Sequence, residues 1–246
     1  MYHIVIPARY GSTRLPAKAL ADINGKPLVY WVWRQAMQSR AVSVMVATDD
    51  IRIQEAMTAH GAEVIMTNAN NRSGTDRLAE VARLKAWDSS VIVVNLQGDE
   101  PLMPVSNLEQ VAGLLNAYPK ASIATLCEPI DTADAFHDPS VVKVVSDGSG
   151  RAHYFSRSPI PHVRDADEAF VPPVARRHVG LYAYRVSFLA DFSSQPVAPL
   201  EQLESLEQLR ALHFGHEIRI ADALEAVPTG VDTQRELDAV RRLMAP

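Results

Sequence analysis

The chain has 246 residues, 47% hydrophobic and 22% charged, with a formal net charge of −5. That length allows one large domain or two modest ones with a sizeable buried core. The acidic balance argues against a general nucleic-acid binder, the single cysteine excludes an internal disulfide, and no run of about 18 apolar residues predicts a membrane span.

Strand and helix signals alternate through the first half. Ile4-Val5-Ile6 reads as a buried strand ended by Pro7 and followed by a loop holding Arg9, Gly11, Ser12, Thr13, Arg14 and Lys18. After the turn Asn24-Gly25, Lys26-Pro27 opens a helix with Leu28, Val29, Val32, Trp33, Ala36 and Met37 on its apolar face. Residues 42–47 form the next strand, and Thr48-Asp49-Asp50 is the N-cap cluster of a helix that Gly61 closes. A strand over 63–67, a polar loop, a helix over 75–87 and a continuous apolar strand over 91–96 follow. Gln97-Gly98-Asp99-Glu100-Pro101 then leads into a helix with Val105, Leu108, Val111 and Leu115 inward.

The second half changes character. Residues 122–127 and 141–146 read as strands, with Cys127 a buried, inert thiol. Asp147-Gly148-Ser149-Gly150 makes a hairpin turn into 151–155. Residues 158–176, rich in proline and charge, read as a loop or arm. Strands at 178–184 and 217–221 and helices at 199–214 and 233–244 complete the chain.

Continuous apolar strands separated by amphipathic helices predict an α/β fold, a mostly parallel sheet with helices on both faces. No linker divides it, so 1–246 reads as a single domain, with 122–190 containing a smaller inserted subregion built on the sheet. Ligands of such sheets bind beyond the carboxyl ends of the strands. The basic loop after Ile6 and the acidic turn after Leu96 therefore face one crevice.

Four clusters are candidates for chemistry. The loop with Arg9, Arg14 and Lys18 offers the cations, hydroxyls and free backbone N–H groups that a polyphosphate needs, or is an ordinary solvated loop. Arg72-Ser73-Gly74-Thr75-Asp76-Arg77 is a helix N-cap, Ser73 or Thr75 being the cap, either alone or with a functional role for Ser73 and Arg77 as well. Asp99, presented after Gly98, is either a ligand for a hard divalent cation that bridges phosphates or part of a capping turn. Asp232 is either its partner ligand or the cap of the last helix. Standard motifs are missing: no G-x-G-x-x-G, no Walker loop around Gly25-Lys26, no zinc spacing among eight histidines and no G-x-S-x-G.

Taken together, IPARYGSTRLPAKAL at 6–20, NGKPL at 24–28, SGTDR at 73–77, NLQGDEP at 95–101, RHVGLYAYR at 177–185, LEQLRAL at 206–212 and TGVDT at 229–233 resemble the sugar-acid cytidylyltransferases. Within that family they resemble the 3-deoxy-manno-octulosonate (Kdo) branch, which belongs to lipopolysaccharide synthesis. The chain departs from the family's usual L-P-G-K-P-L at Ala17 and Ala19, a change expected to alter the loop's mobility more than its chemistry.

The resemblance implies a nucleotide-diphospho-sugar transferase fold and a homodimer whose interface uses the inserted segment. It implies that the anomeric hydroxyl of Kdo attacks the α-phosphorus of CTP, with magnesium as cofactor. The same chemistry on an 8-amino sugar acid or a sialic acid, or a non-catalytic sugar-nucleotide binder, are the alternatives. By resemblance, Arg14, Lys18, Asp99 and Asp232 are catalytic, and Asp99 and Asp232 are the metal ligands. Pro7, Ala8, Arg9, Arg14, Lys18, Ser73 and Gly74 bind nucleotide, while Arg77, Gln97, His178, Tyr182, Glu207 and Gln208 line the sugar pocket. Neither a basic signal-type leader nor a span is present, so the expected compartment is the cytoplasm.

Overall fold

The computed structural model of the chain describes residues 1–12, 15–164 and 170–245. It starts with β1 (Tyr2–Ala8), a short 3₁₀ turn at Lys18–Leu20, the small pair β2 (Asp22–Ile23) and β3 (Lys26–Pro27), and α1 (Leu28–Ala36). Then come β4 (Ser43–Thr48), α2 (Ile51–Thr58), β5 (Glu63–Met66), α3 (Gly74–Leu84), β6 (Ile92–Asn95) and α4 (Val105–Ala117). The second half holds β7 (Ile123–Pro129), α5 (Ala133–His137), β8 (Lys143–Ser146), β9 (Ala152–Ser156) and β10 (Arg176–Arg185). It ends with α6 (Val186–Ser194), α7 (Pro199–Glu204), α8 (Gln208–His213), β11 (Ile218–Asp222) and α9 (Gln234–Leu243).

The main sheet runs β11-β7-β10-β6-β1-β4-β5, with the β8–β9 hairpin joined to β10. β1 pairs in parallel with β4 on one side and β6 on the other. The apolar runs explain the burial: Ile4, Val5 and Ile6 are fully inside because helices cover both faces. One face packs Val29, Val32, Ile53, Leu108 and Val111, and the other packs Leu78, Val81, Phe188, Phe192 and Leu209. A third cluster, with Leu15, Ile23, Leu28, Val231, Leu237 and Val240, ties the chain's last helix to its first loops.

The chain builds outward from β1 through β4 to β5, then crosses back to place β6 on the other side of β1. A crevice opens where the strand order reverses, beyond the carboxyl ends of β1 and β6. Pro7 does not end β1, contrary to the expectation. Val5 O already accepts from Leu96 N at 3.2 Å on the β6 side, and the β6 pairing runs out after Val5. Pro7 has the parity of Val5, so its missing N–H faces that unpaired edge and costs the ladder nothing.

Two further expectations change, and the direction of one strand is added to the mostly parallel sheet expected. The helix expected over 199–214 is two, because Ser205 at φ 53 breaks it and α8 restarts at a new angle. Lys26-Pro27 is a two-residue strand against β2, and α1 starts at Leu28. β10 runs antiparallel to both β6 and β7, so the sheet is mixed at this end although parallel around β1. Segment 122–190 supplies the central strands β7 and β10, so it is continuous with the sheet, with only the β8–β9 hairpin and its neighbouring arm off the main path. Residues 165–169 of that arm lie outside the described residues.

Candidate active site

Three side chains distant in sequence meet at the crevice. Lys18 Nζ donates to Asp99 Oδ2 at 2.5 Å and to Asp232 Oδ1 at 2.9 Å. Burial alone would pull the Lys18 ammonium down, but Asp99 and then Asp232 outweigh it and raise it above its ordinary value. The site therefore holds a lysine cation clasped by two carboxylates.

Local structure explains why these carboxylates are available. Ser73, not Thr75, caps α3, accepting from Asp76 N at 3.2 Å. Thr233 caps α9 in a capping box, in which Glu236 Oε2 accepts from Asp232 N at 2.7 Å and Thr233 N at 2.9 Å. Asp232 is thus relieved of capping, and its carboxylate turns to Lys18. The turn at Asp99 and the loop at Asp232 are locked together by Val231 N donating to Asp99 O at 2.8 Å.

Lys18 follows Ala17, whose φ of 53° and ψ of 31° are left-handed. This is the position where the resemblance leads one to expect glycine, and an alanine there carries about 1–2 kcal/mol of strain. Arg14, the other cation expected to grip a triphosphate, lies outside the described residues.

Around the lysine lies a cavity of about 460 Å³ lined by Pro7, Ala8, Arg9, Ser73, Gly74, Gly98, Asp99 and Asp232, among others. A second, deeper cavity of about 290 Å³ adjoins it, lined by Thr75, Asn95, Tyr182, Tyr184, Phe188, Phe192 and Gln208. Gly74, Gln97 and Glu207 line both and mark their junction. Glu207 precedes α8 at the helix break and accepts from Thr75 Oγ1 at 2.9 Å. Burial pushes its carboxyl up, with hydrogen bonds from Thr75 and Ser73 opposing the shift. A wider groove of about 980 Å³ between α3 and α6 carries Arg72 and Asp76 of the second cluster but none of the residues given a catalytic, nucleotide or sugar role.

Two candidates stand elsewhere. Arg77 lines neither cavity and is a correction to the sugar-pocket set. It is fully buried on the face of α3 turned toward the ends of β4 and β5, with Nη2 on Asp49 Oδ2 at 3.0 Å and Nη1 on Thr67 Oγ1. That ion pair consumes its charge. His178 sits behind Tyr182 rather than on the cavity wall, with Nε2 at 2.9 Å from Thr125 Oγ1 and its ring edge-on to Phe155.

Burial pushes the His178 imidazole down to about 3. The folded protein therefore holds it neutral, while the unfolded chain takes up a proton below about 6.5. From this group stability is fully present above 6.5 and is lost as pH falls toward 3, by about 1.4 kcal/mol per pH unit at most. Urea midpoints between pH 6.5 and 4 are expected to fall less steeply in His178→Gln than in the parent; parallel curves would contradict this.

Sequence reasoning gave several lining residues no part in binding. Asn95, Thr75 and Tyr184 face the deeper cavity, and Arg72 the nucleotide side. Glu100 stands next to Asp99 in the acidic turn. Burial, helped by Asp99, raises its carboxyl to about 8, and its Oε2 has no hydrogen-bond partner among the described residues. The signals were a polar residue closing a buried apolar strand, as with Asn95, and a second carboxylate beside the first.

A mostly parallel α/β sheet with a cation-and-carboxylate cluster at its switch point, lining one of two joined cavities, defines a nucleotide-dependent transferase site. The chain belongs to the cytidylyltransferase family, whose model matches residues 3–218. It is 53% identical to a 3-deoxy-manno-octulosonate cytidylyltransferase of Pseudomonas syringae pv. tomato, covering 99% of this chain and 98% of that one. It is 51% identical to a protein of the same name from Cellvibrio japonicus, at the same coverage. Among solved structures, CMP:2-keto-3-deoxy-manno-octonic acid synthetase complexed with CTP superposes with a TM-score of 0.91 at 45% identity, over 100% of this chain and 99% of that one. A cytidylyltransferase from Leptospira borgpetersenii, at 18% identity and a TM-score of 0.64, shares the fold.

Proposed function

We propose that the protein transfers the cytidylyl group of CTP to the sugar acid Kdo. The anomeric hydroxyl oxygen bonds to the α-phosphorus, the bond from that phosphorus to the bridging oxygen breaks, and diphosphate leaves with the electron pair while the hydroxyl gives up its proton. The observation that carries this reading is the Lys18–Asp99–Asp232 cluster in one of two joined cavities, the first lined by cations and carboxylates and the second polar and aromatic.

Each residue has a physical task. Lys18 and, by resemblance, Arg14 offset the charge that accumulates on departing diphosphate. Pro7, Ala8, Arg9, Ser73 and Gly74 frame the nucleotide, and the amino end of α3 adds a favourable dipole for anionic groups. Gln97, Tyr182, Glu207 and Gln208 hold the sugar hydroxyls. Reaction then depends on alignment of bound partners more than on covalent chemistry by the protein.

The donor set suits magnesium. Two carboxylate oxygens converge on one cation, and this ion typically takes one or two carboxylates plus substrate oxygens. Asp99 and Asp232 would hold it, and when bound it supplies neutralisation of phosphate charge. The proposal extends to a homodimer acting in the cytoplasm on the route to lipopolysaccharide. Among the described residues no helix is long and apolar enough to cross a membrane.

The test is diphosphate release from CTP, Kdo and magnesium, run beside sialic acid. Release with Kdo and at least tenfold less with sialic acid is expected; folded protein releasing none with Kdo would overturn the reading.

A further inference from the structure

The described residues 223–233, between β11 and α9, form neither helix nor strand, and Leu224, Glu225, Ala226, Pro228 and Thr229 are exposed. Asp232 stands near the end of this segment. Ordering an exposed loop costs conformational entropy, so a carboxylate carried on one keeps its place only where the backbone is tied down. Side chains from α4, β7 and β10 supply the ties.

The ties follow one another along the chain. Gln110 of α4 donates from Nε2 to Asp222 O at 2.8 Å and accepts at Oε1 from Leu224 N at 3.0 Å. Asn107, three residues earlier on the same helix, donates from Nδ2 to Glu225 O at 2.8 Å and accepts at Oδ1 from Glu225 N at 3.1 Å. Asn107 is fully buried, and both ends of its amide are satisfied by that one loop residue. Two charged side chains grip Val227 in the same way. Glu128 Oε1 accepts from Val227 N at 2.7 Å, and Arg177 Nη2 donates to Val227 O at 3.2 Å. Glu128 and Arg177 stand directly opposite each other on β7 and β10 and form an ion pair. Four residues beyond Val227, the fully buried Val231 donates its N–H to Asp99 O at 2.8 Å.

We propose that Glu128 and Arg177 are positioning residues for the reaction, setting the place of the Asp232 carboxylate by gripping the backbone of Val227. This rests on the reading of Asp232 as one of the two working carboxylates. Neither Glu128 nor Arg177 lines the two joined cavities, so both act through the loop. Their charges suit the task, since hydrogen bonds to ionised groups are about twice as strong as neutral ones. The pair also flanks the cluster: Glu100, next to Asp99, lies within electrostatic reach of Arg177, Asp232 and Lys18.

The grip sits where the loop turns toward the site. From Val227 the chain runs through Pro228, Thr229 and Gly230, where a Cβ would stand only 3.2 Å from Asp99 O. The loop therefore passes close over the acidic turn and delivers Asp232 to Lys18. Releasing Val227 frees that passage, so Asp232 holds its place for only part of the time. A ligand that needs the rarer arrangement binds more weakly by the populated fraction, and saturating ligand restores it. A positioning role thus raises the magnesium needed while sparing the rate at saturation. A role in stability alone lowers the melting temperature and leaves the magnesium requirement where it was.

The experiment compares the parent with Glu128→Leu and Arg177→Met in two measurements. The first is amide hydrogen exchange in metal-free protein, where residues 229–231 are expected to exchange at least about tenfold faster in each variant while β1 and α1 keep parental rates. The second is diphosphate release at saturating CTP and Kdo as magnesium is varied. The half-saturating magnesium concentration is expected to rise at least about tenfold, with kcat at saturating magnesium within about threefold of the parent. A retained rise in melting temperature with CTP shows that each variant is folded. The Arg177 side chain is 40% exposed, so Arg177→Met decides the matter if Glu128→Leu does not fold. Parental exchange at 229–231 in the folded variants overturns this proposal alone, as does faster exchange with an unchanged magnesium requirement. A parent whose rate is indifferent to magnesium or to Asp232→Asn overturns the reading of Asp232, and this proposal with it.

Discussion

Asp99→Asn or Asp232→Asn is expected to lower kcat for diphosphate release by about 10³-fold, while shifting unfolding free energy by about 1 kcal/mol or less. The two effects separate because of how the cluster is built. Lys18 touches both carboxylates, so losing one leaves the ammonium still paired with the other. The side chains of Asp99 and Asp232 are 27% and 39% exposed, so solvent screens what is lost. Neither carboxylate caps a helix: α4, which follows Asp99, has Pro104 at its N-cap position and no side-chain cap, and Thr233 caps α9. The cost falls on the reaction, which needs both negative charges held beside Lys18 in the first cavity. Stopped assays of diphosphate with each variant, beside urea titrations, check it. Near-parental rates in both variants would remove the metal assignment, and a loss of several kcal/mol in stability would show the cluster to be structural instead.

Much of this arrangement can be read from the chain, and the exceptions have physical causes. Ile4-Val5-Ile6, Val93-Val94 and Val44–Val46 announce buried strands because both their faces are covered by helices. Asp50 announces α2 because only such a side chain satisfies the free N–H of Arg52. The direction of β10 is not announced. His178 to Tyr184 alternates in the same way whether its neighbours run with it or against it, and the register shift between Val179 and Tyr182 leaves no mark in the pattern. The division of α7 from α8 is hidden too, because the leucines at 203, 206, 209 and 212 continue a helical rhythm across Ser205. That break matters, since it turns Glu207 and Gln208 into the cavity. Arg77 fails for a related reason: the S-G-T-D-R string is local, but the helix it starts buries the arginine and turns it onto a half-buried partner, Asp49, from another loop. Asn95 was legible in principle. A polar amide ending a strand as apolar as 91–96 needs a partner, and the sequence offers none nearby.

Gly98→Ala is expected to reduce kcat/KM by about 100-fold, although it removes no chemical group, because misplacing a reacting group by about 1 Å costs that much. A Cβ at Gly98 would stand 2.8 Å from the carbonyl oxygen of Pro7 and 3.7 Å from Ala8. The nearest atom is backbone at the end of a central strand, which cannot swing aside as a side chain would. The turn must therefore move, and it carries Asp99 with it. The next loop constrains the escape, for a Cβ at Gly230 would stand only 3.2 Å from Asp99 O, and Val231 N is bonded to that same oxygen. Overpacking at such a point costs about 1–3 kcal/mol of stability as well. Gly113→Ala is the matched control. It lies within α4 with nothing within 4 Å of the added carbon, so it is expected to leave kcat unchanged and to stabilise by about 0.5–1 kcal/mol. Measuring both variants separates the close approach of two backbones from any general effect of replacing glycine. If Gly98→Ala matches Gly113→Ala in rate, the contact between β1 and the acidic turn does not set the position of Asp99.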